Sequence, residues 1–283
     1  MQLEHVACYL CGESRSEPWA RESGYSMVKC LNCGLVYLNP RPLLSDIDAA
    51  ARTGMHRLDR GVLRMVGRHS SLKVDEFCQK TSALFPQEEL RSEPCRWLDI
   101  GAGFGELLEA LDVLVASGSE LLGLEPCEAK VKWCQSRGIP VTSAELRDIS
   151  GEFTHVSLVN VFSHLPDPVE FFEGLRIRLK PRGQLLLATG NAGDIPRSEF
   201  PGSLYLPDHL SFSGEGHMRA ILDKAGYKVI AMQRYRAGVT GENRLVGHLK
   251  NLARKSLRRP AVPLRIDENS RFRFLWIRAE RCA

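Results

Sequence analysis

The sequence predicts an α/β fold: a mostly parallel seven-stranded sheet with helices on both faces and an antiparallel last strand, preceded by a small module organised by four cysteines. Three observations carry this reading. From Arg96 onward, short apolar strands alternate with amphipathic helices. A glycine-rich loop joins the first of those strands to its helix, and two Cys-x2-Cys pairs, 18 residues apart, lie near the N-terminus. Alternation of strand and helix implies parallel pairing with helical crossovers on both faces of the sheet.

The alternation is explicit along the chain. Strands are expected at 96–100, 120–125, 139–141, 156–161, 184–188, 227–235 and 271–280, and helices at 106–116, 128–137, 169–179 and 214–225. The fourth strand is almost wholly apolar, as a strand buried on both faces should be. Gly138 closes one helix as a C-cap, and Pro181 with Gly183 ends another. No covering helix fits between the last two strands, so an antiparallel pair at the sheet edge is expected. Upstream, residues 1–43 are short, turn-rich and cysteine-paired, and end at Asn39-Pro40-Arg41-Pro42, where prolines discourage a helix. Residues 44–94 form a connecting region whose first part, 44–86, reads as helices. Ser45 and Asp46 can cap a start, and Val62, Leu63, Met65, Val66, Leu72 and Val74 recur at helical spacing. The sheet region is 95–283.

Composition bounds the function. The 283 residues accommodate one α/β domain of ordinary size and an accessory module. A hydrophobic content of 43% supports a real core and excludes wholesale disorder. The net charge of +4 is too small to argue for nucleic acid or a membrane surface. No apolar run approaches the roughly 20 residues of a membrane span, and the first residues, MQLEHVACYLCGES, do not read as a secretory signal. The expected location is the cytoplasm, with no membrane partner. Nine cysteines without such a signal do not read as a disulfide framework. Cys78, Cys95, Cys127, Cys134 and Cys282 are scattered and read as buried or idle thiols.

The four paired cysteines read differently. Cys8, Cys11, Cys30 and Cys33 have the spacing of a four-thiolate Zn2+ site, with Gly12 and Gly34 after each pair permitting the tight turn that aims amides at sulfur. All four positions are cysteine, so none is open for catalysis and a structural zinc is expected.

The loop Leu98-Asp99-Ile100-Gly101-Ala102-Gly103-Phe104-Gly105 has the spacing G-x-G-x-G. A dinucleotide loop would place its third glycine where Glu106 stands, at the helix N-terminus. A carboxylate there repels a pyrophosphate and favours a ligand carrying an ammonium and a sulfonium, as S-adenosylmethionine does. Glu125, after the second strand, is placed to accept hydrogen bonds from ribose hydroxyls.

With these residues in view, LDIGAGFGELLEAL resembles the first motif of class I S-adenosylmethionine-dependent methyltransferases, and GLEP resembles the second. NVFSHLPDPVEFFEGLRIRLKPRGQLLLATGN and DHLSFSGEGHMRAILDKAGYKVI resemble later segments of the same family, so the likeness spans about residues 96–280. It implies a Rossmann-like domain. It further implies that Asp99, Gly101, Ala102, Gly103 and Gly105 surround the methionine part of the cofactor, and that Glu125 and Pro126 hold the ribose. By the same resemblance Ala144, Glu145 and Leu146 frame adenine, and Asn160 and Phe162 border the sulfonium. Glu145 replaces the family's common aspartate at the adenine edge. A zinc ribbon ending in CGLVYLNPRP ahead of such a domain is similar to bacterial methyltransferases of small-molecule, saccharide and secondary-metabolite pathways. Zinc ribbons also precede some ribosomal RNA methyltransferases.

His164 and His209 follow the fourth and fifth strands, where the C-terminal edge of a parallel sheet opens to ligands. Each can serve as a base or can fix its loop by hydrogen bonds. Tyr205 and Asp208 are weaker candidates, and His155 and His217 read as structural. The long connection 191–207 is expected to cover the acceptor together with 44–86. Residues 244–259 read as a basic helix with Leu245, Leu249, Leu252 and Leu257 on one face. That helix is either a packed surface element or a contact for an anionic acceptor or RNA. It lacks the interleaved aromatics of a base-stacking platform, so nucleic acid is the lesser option. The expected activity is methyl transfer to O, N or C of a small metabolite, a sugar or natural-product intermediate. RNA methylation through the ribbon and the basic helix is the alternative.

Overall fold

The computed structural model describes residues 2–58, 61–64, 67–199, 203–236 and 273–282. The basic segment expected at 244–259 lies outside the described residues.

The N-terminal module is an antiparallel meander of β1 (Ser16–Glu22), β2 (Tyr25–Cys30) and β3 (Val36–Leu38). Leu3–Glu4 pairs antiparallel with Arg41–Pro42 and ties off its ends. Helix α1 (Leu44–Thr53) follows and is closed by Gly54 in the left-handed conformation at φ 66°. The residues near Val62, expected in a helix, instead form a short hairpin of Met55–Arg57 and Val62–Arg64. Gly54 stops the helix before the apolar pattern reaches Val62, and Gly61, at φ 98°, lies just before the returning strand. Helix α2 (Ser71–Leu84) completes the connecting region.

The main sheet is built from β4 (Arg96–Ile100), β5 (Glu120–Leu124), β6 (Val141–Thr142), β7 (Phe153–Val159) and β8 (Leu179–Gly190), separated by α3 (Glu106–Leu114), α4 (Glu128–Gln135) and α5 (Pro168–Leu175). A two-residue strand β9 (Ser211–Phe212), helix α6 (Glu215–Lys224), and strands β10 (Tyr227–Arg236) and β11 (Arg273–Arg281) follow. The spatial order is β6-β5-β4-β7-β8-β11-β10. The sheet is mixed: β11 runs antiparallel to both β8 and β10, and the five strands from β6 to β8 pair in parallel. The antiparallel pair expected at the sheet edge is β10 with β11, and within it the last strand, β11, lies between β8 and β10. Leu98, Val156, Leu158, Leu185, Leu187 and Ile277 are fully buried between the sheet and its helices.

The module and the sheet domain are not beads on a string. Strand β9 leaves the sheet domain and pairs with β3, with Ser211 opposite Tyr37 and Phe212 opposite Val36, so the ribbon sheet has four strands. Leu38 N–H donates to Leu210 O at 2.8 Å. Beneath this seam Met27, Val36 and Leu38 pack with Leu204, Leu206, Leu210 and Phe212. His217, read as structural, is a bridge: its Nδ1 accepts from Gly214 N at 3.1 Å, and its Nε2 pairs with Cys33 O at 2.9 Å. His155, read likewise, stacks on Trp97 with ring centroids 4.5 Å apart.

The close approach of β5 to the loop after β4 depends on Gly123. A Cβ there would lie 2.8 Å from Ala102 Cβ and 2.9 Å from both Leu108 Cδ1 and Val141 Cγ2. Gly123→Ala is therefore expected to cost about 1–3 kcal/mol of stability by overpacking. A urea melt should show a lower midpoint at an unchanged slope, and an unshifted midpoint would contradict this packing.

Candidate active site

The site begins where β4 ends. Gly101 and Ala102 both donate their N–H groups to Leu124 O, at 2.7 and 2.9 Å, so the loop curls over the end of β5. Gly101, Gly103 and Gly105 have φ of 72°, 60° and 79°, which only glycine adopts freely. A side chain at Gly101 would collide with Val161 Cγ2, and one at Gly105 would meet Ile139 Cγ2 at 2.7 Å. At Gly103 the nearest atom is 3.9 Å away, so that face is open.

Three carboxylates crowd this turn. Asp99 Oδ1 accepts from Ser157 Oγ at 2.6 Å, and Ser157 accepts from Trp97 Nε1 at 3.0 Å. Burial pushes the Asp99 carboxyl up to about 7, with Glu125 and Glu106 adding to the rise. Glu106 is buried at the start of α3; its Oε1 has no hydrogen-bond partner among the described residues and lies 3.7 Å from Lys73 Nζ. Glu125 is buried, accepting from Gly103 N at 2.8 Å and Cys127 N at 3.0 Å, one bond to each carboxylate oxygen. Lys130 Nζ stands 3.4 Å from it.

A cavity of about 550 Å³ opens from this loop toward the N-terminal segment. Gly101, Glu125, Pro126, Ala144, Glu145, Leu146 and Asn160 all line it, so most of the residues expected to hold a nucleoside converge. Asn160 adopts φ 59° at the end of β7, a left-handed turn that asparagine tolerates better than most residues. The Glu145 carboxylate is held by Arg52 at 2.9 Å and Arg147 at 2.7 Å. Asp99, Ala102, Gly103, Gly105 and Phe162 are not on its wall. Phe162 is fully buried, its ring near Phe172 at 6.5 Å between centroids.

The same wall carries a polar cluster around Asp208. His56 Nε2 lies 2.7 Å from Asp208 Oδ1, and His164 Nδ1 lies 3.5 Å from the same oxygen and 2.9 Å from Asp208 O. Burial alone would raise the Asp208 carboxyl, but the His164 and His56 bonds outweigh it and hold it low. Burial likewise disfavours a charged His164, and Asp208 overcomes it, so the net shift is upward. His209 sits behind His164, with centroids 5.1 Å apart and Nδ1 2.9 Å from Leu204 O. Burial, reinforced by His164, lowers it to about 4, so it is a neutral ring at pH 7. His56, His164 and Asp208 line the cavity and His209 does not.

Sequence reasoning missed His56. It lies on a strand read as helix, and its partner is 152 residues away, so no local pattern marks it. It also missed Glu22 of β1, whose carboxylate accepts from Ser203 Oγ at 2.8 Å, Leu204 N at 2.7 Å and Leu206 N at 3.2 Å. The ribbon thus grips the loop that carries Asp208 and His209.

In the ribbon, Cys8, Cys11, Cys30 and Cys33 converge, with Sγ–Sγ distances of 3.5 Å for Cys8–Cys33 and Cys11–Cys30. Gly12 N donates to Cys8 O and Gly34 N to Cys30 O, at 2.7 and 3.0 Å, giving two matching knuckles. A tetrahedron of thiolates about 2.3 Å from one Zn2+ has edges of about 3.8 Å, close to these separations.

Comparisons with known proteins agree with this geometry. A family model described as a methyltransferase domain matches residues 56–232. A ubiquinone biosynthesis O-methyltransferase of Actinobacillus pleuropneumoniae serotype 5b (strain L20) is 25% identical over 134 residues, 42% of this chain. The match spans about half of that relative, 53% of its length. Among solved structures, a candidate sarcosine dimethylglycine methyltransferase from Galdieria sulphuraria superposes with TM-score 0.55 at 17% identity, covering 75% of this chain and 86% of that one. An S-adenosylmethionine-dependent methyltransferase from Mesorhizobium loti gives TM-score 0.51 at 16% identity, over 74% of this chain and 100% of that one. Both structures share the fold. The family match covers more than half of the sequence: the chain belongs to the methyltransferase domain family.

Proposed function

We propose that this enzyme moves the methyl group of S-adenosylmethionine to an O, N or C atom of a small-molecule acceptor. In this reading residues 95–283 hold the cofactor, 44–94 cover the acceptor, and 1–43 fold around a structural zinc. The observation that carries it is one cavity whose wall brings together Glu125 and the cluster of His56, His164 and Asp208. Methyl transfer from a sulfonium needs the acceptor aligned beside the cofactor, and a shared cavity wall supports that.

The geometry supports the following cofactor roles. Asp99, Gly101, Ala102, Gly103 and Gly105 shape the floor under the methionine part. A carboxylate has about four lone-pair sites; Glu125 spends two on the loop amides and keeps the others for ribose hydroxyls. Pro126 lies beside the ribose, Ala144, Glu145 and Leu146 frame adenine, and Asn160 borders the sulfonium with Phe162 supporting it from below. His164 faces the acceptor, and His209 acts through it by fixing its ring and the loop.

Asp99 provides a test. Its folded-state carboxyl lies near 7, above its ordinary 3.8, so in the free protein it costs stability as pH rises from about 4 to about 7. A cation bound nearby reverses this by favouring the charged form. Cofactor binding is therefore expected to release protons below about pH 7, tightening as pH rises toward 7 and levelling off above it. Calorimetry of S-adenosylmethionine binding in buffers of different ionisation enthalpy measures this. The dependence should vanish in Asp99→Asn, and buffer-independent heat in the unaltered protein would contradict the electrostatic reading.

The zinc reading makes a second expectation. A 43-residue module has little core of its own, so the metal contributes folding energy directly. Chelation should lower the melting temperature by roughly 10 °C, as loss of a few kcal/mol does in a domain of this size. It should also free the loop that Glu22 grips. Elemental analysis finding no zinc in purified protein would refute the assignment.

A further inference from the structure

A second cavity, of about 520 Å³, lies on the other side of α1 from the cofactor pocket. Its wall is mostly apolar, with Pro42, Ile47, Met55, Val62 and Pro207 prominent, and among the described residues only Asp46 and His56 carry ionisable groups. None of the residues assigned to the cofactor lines it. Four residues line both cavities: Ile47, Ala50, His56 and Pro207. His56 is the only one of these with a group able to exchange protons, so it stands in the partition between them.

The hydrogen bonding of His56 suits that position. Its Nε2 lies 2.7 Å from the Asp208 carboxylate, which fixes the tautomer with the proton on Nε2. Nδ1 is then an acceptor, and no described residue bonds to it. Asp208 is the orienting carboxylate of a base, the arrangement that lets an imidazole take a proton and remain stabilised as the cation. His209 lacks this access, since its Nδ1 is tied to Leu204 O and it lines neither cavity.

Resting on the methyl-transfer reading, we infer that His56 is the group that takes the proton from the acceptor, and that the acceptor is a molecule with an apolar body and an acidic O–H or N–H, its body lying in the second cavity. In the step, the lone pair of the acceptor atom forms the new bond to the methyl carbon. The methyl–sulfur bond breaks with its electron pair passing to sulfur, leaving S-adenosylhomocysteine. The acceptor proton goes to His56 Nδ1, the imidazolium faces Asp208, and water later removes the proton.

The test uses full-length protein labelled with 15N-histidine, saturated with S-adenosylhomocysteine, and phenol as the probe. Before phenol, the His56 nitrogens should show the Nε2–H tautomer. Phenol should bind saturably and shift Nδ1 of His56 more than any nitrogen of His164 or His209. His56→Gln should weaken phenol binding about tenfold, the loss expected of one hydrogen bond to a neutral partner, and retained S-adenosylhomocysteine binding shows that this variant folds. Asp208→Asn, as a second variant, should let the His56 tautomers mix. A largest shift on His164 or His209, an Nδ1–H tautomer of His56, or no saturable phenol binding would each overturn the inference. Failure of S-adenosylhomocysteine to bind at all would instead sink the cofactor reading beneath it.

Discussion

Two backbone amides converging on one carbonyl set the shape of this enzyme. Gly101 and Ala102 both bond to Leu124 O, which draws the loop after β4 across the end of β5 and leaves a cleft beside it. Everything at the cofactor end inherits its place from that contact. Gly123 must be bare for β5 to approach, Gly101 must be bare to pass Val161, and Glu125 reaches back to Gly103 because the next residue along β5 is already fixed. The carboxylates of Asp99, Glu106 and Glu125 are brought into one small volume as a result. That volume is hostile to phosphate and suited to a cation, which is how a widely shared α/β fold is committed to a sulfonium ligand here.

The acceptor end is held by different means. Its residues come from three separated parts of the chain: His56 from the connecting hairpin, His164 from the loop after β7, and Asp208 with His209 from the loop before β9. The ribbon ties these segments together. Strand β9 completes its sheet, Glu22 accepts three hydrogen bonds from the 203–206 stretch, and Arg41 Nη1 donates to Pro166 O at 2.7 Å on the far side. The four-cysteine module thereby holds the loop that carries Asp208.

The sequence made local features plain and hid distant ones. Gly101, Gly103 and Gly105, the glutamate at the end of β5 and the two cysteine knuckles each announce themselves within a few residues, because turns and metal knuckles are local chemistry. Strand order beyond alternation was less legible: β11 inserts between β8 and β10, and residues near Val62 form strand although their apolar spacing suits a helix. Position at a strand end also does not fix where a side chain points. Asn160 faces the cavity, while Phe162, two residues later, is buried against Phe172. His209 and His164 share a neighbourhood, yet only His164 reaches the wall. His56 was invisible because its meaning comes wholly from Asp208, 152 residues on.

The most direct measurement is a crystal structure of the full chain with S-adenosylhomocysteine. The account predicts the ribose hydroxyls on Glu125, adenine between Leu146 and Pro126, and the sulfur directed from Asn160 toward the cluster of His56, His164 and Asp208. A nucleoside bound elsewhere, or a cleft beside Gly103 that stays empty at saturating ligand, would contradict it.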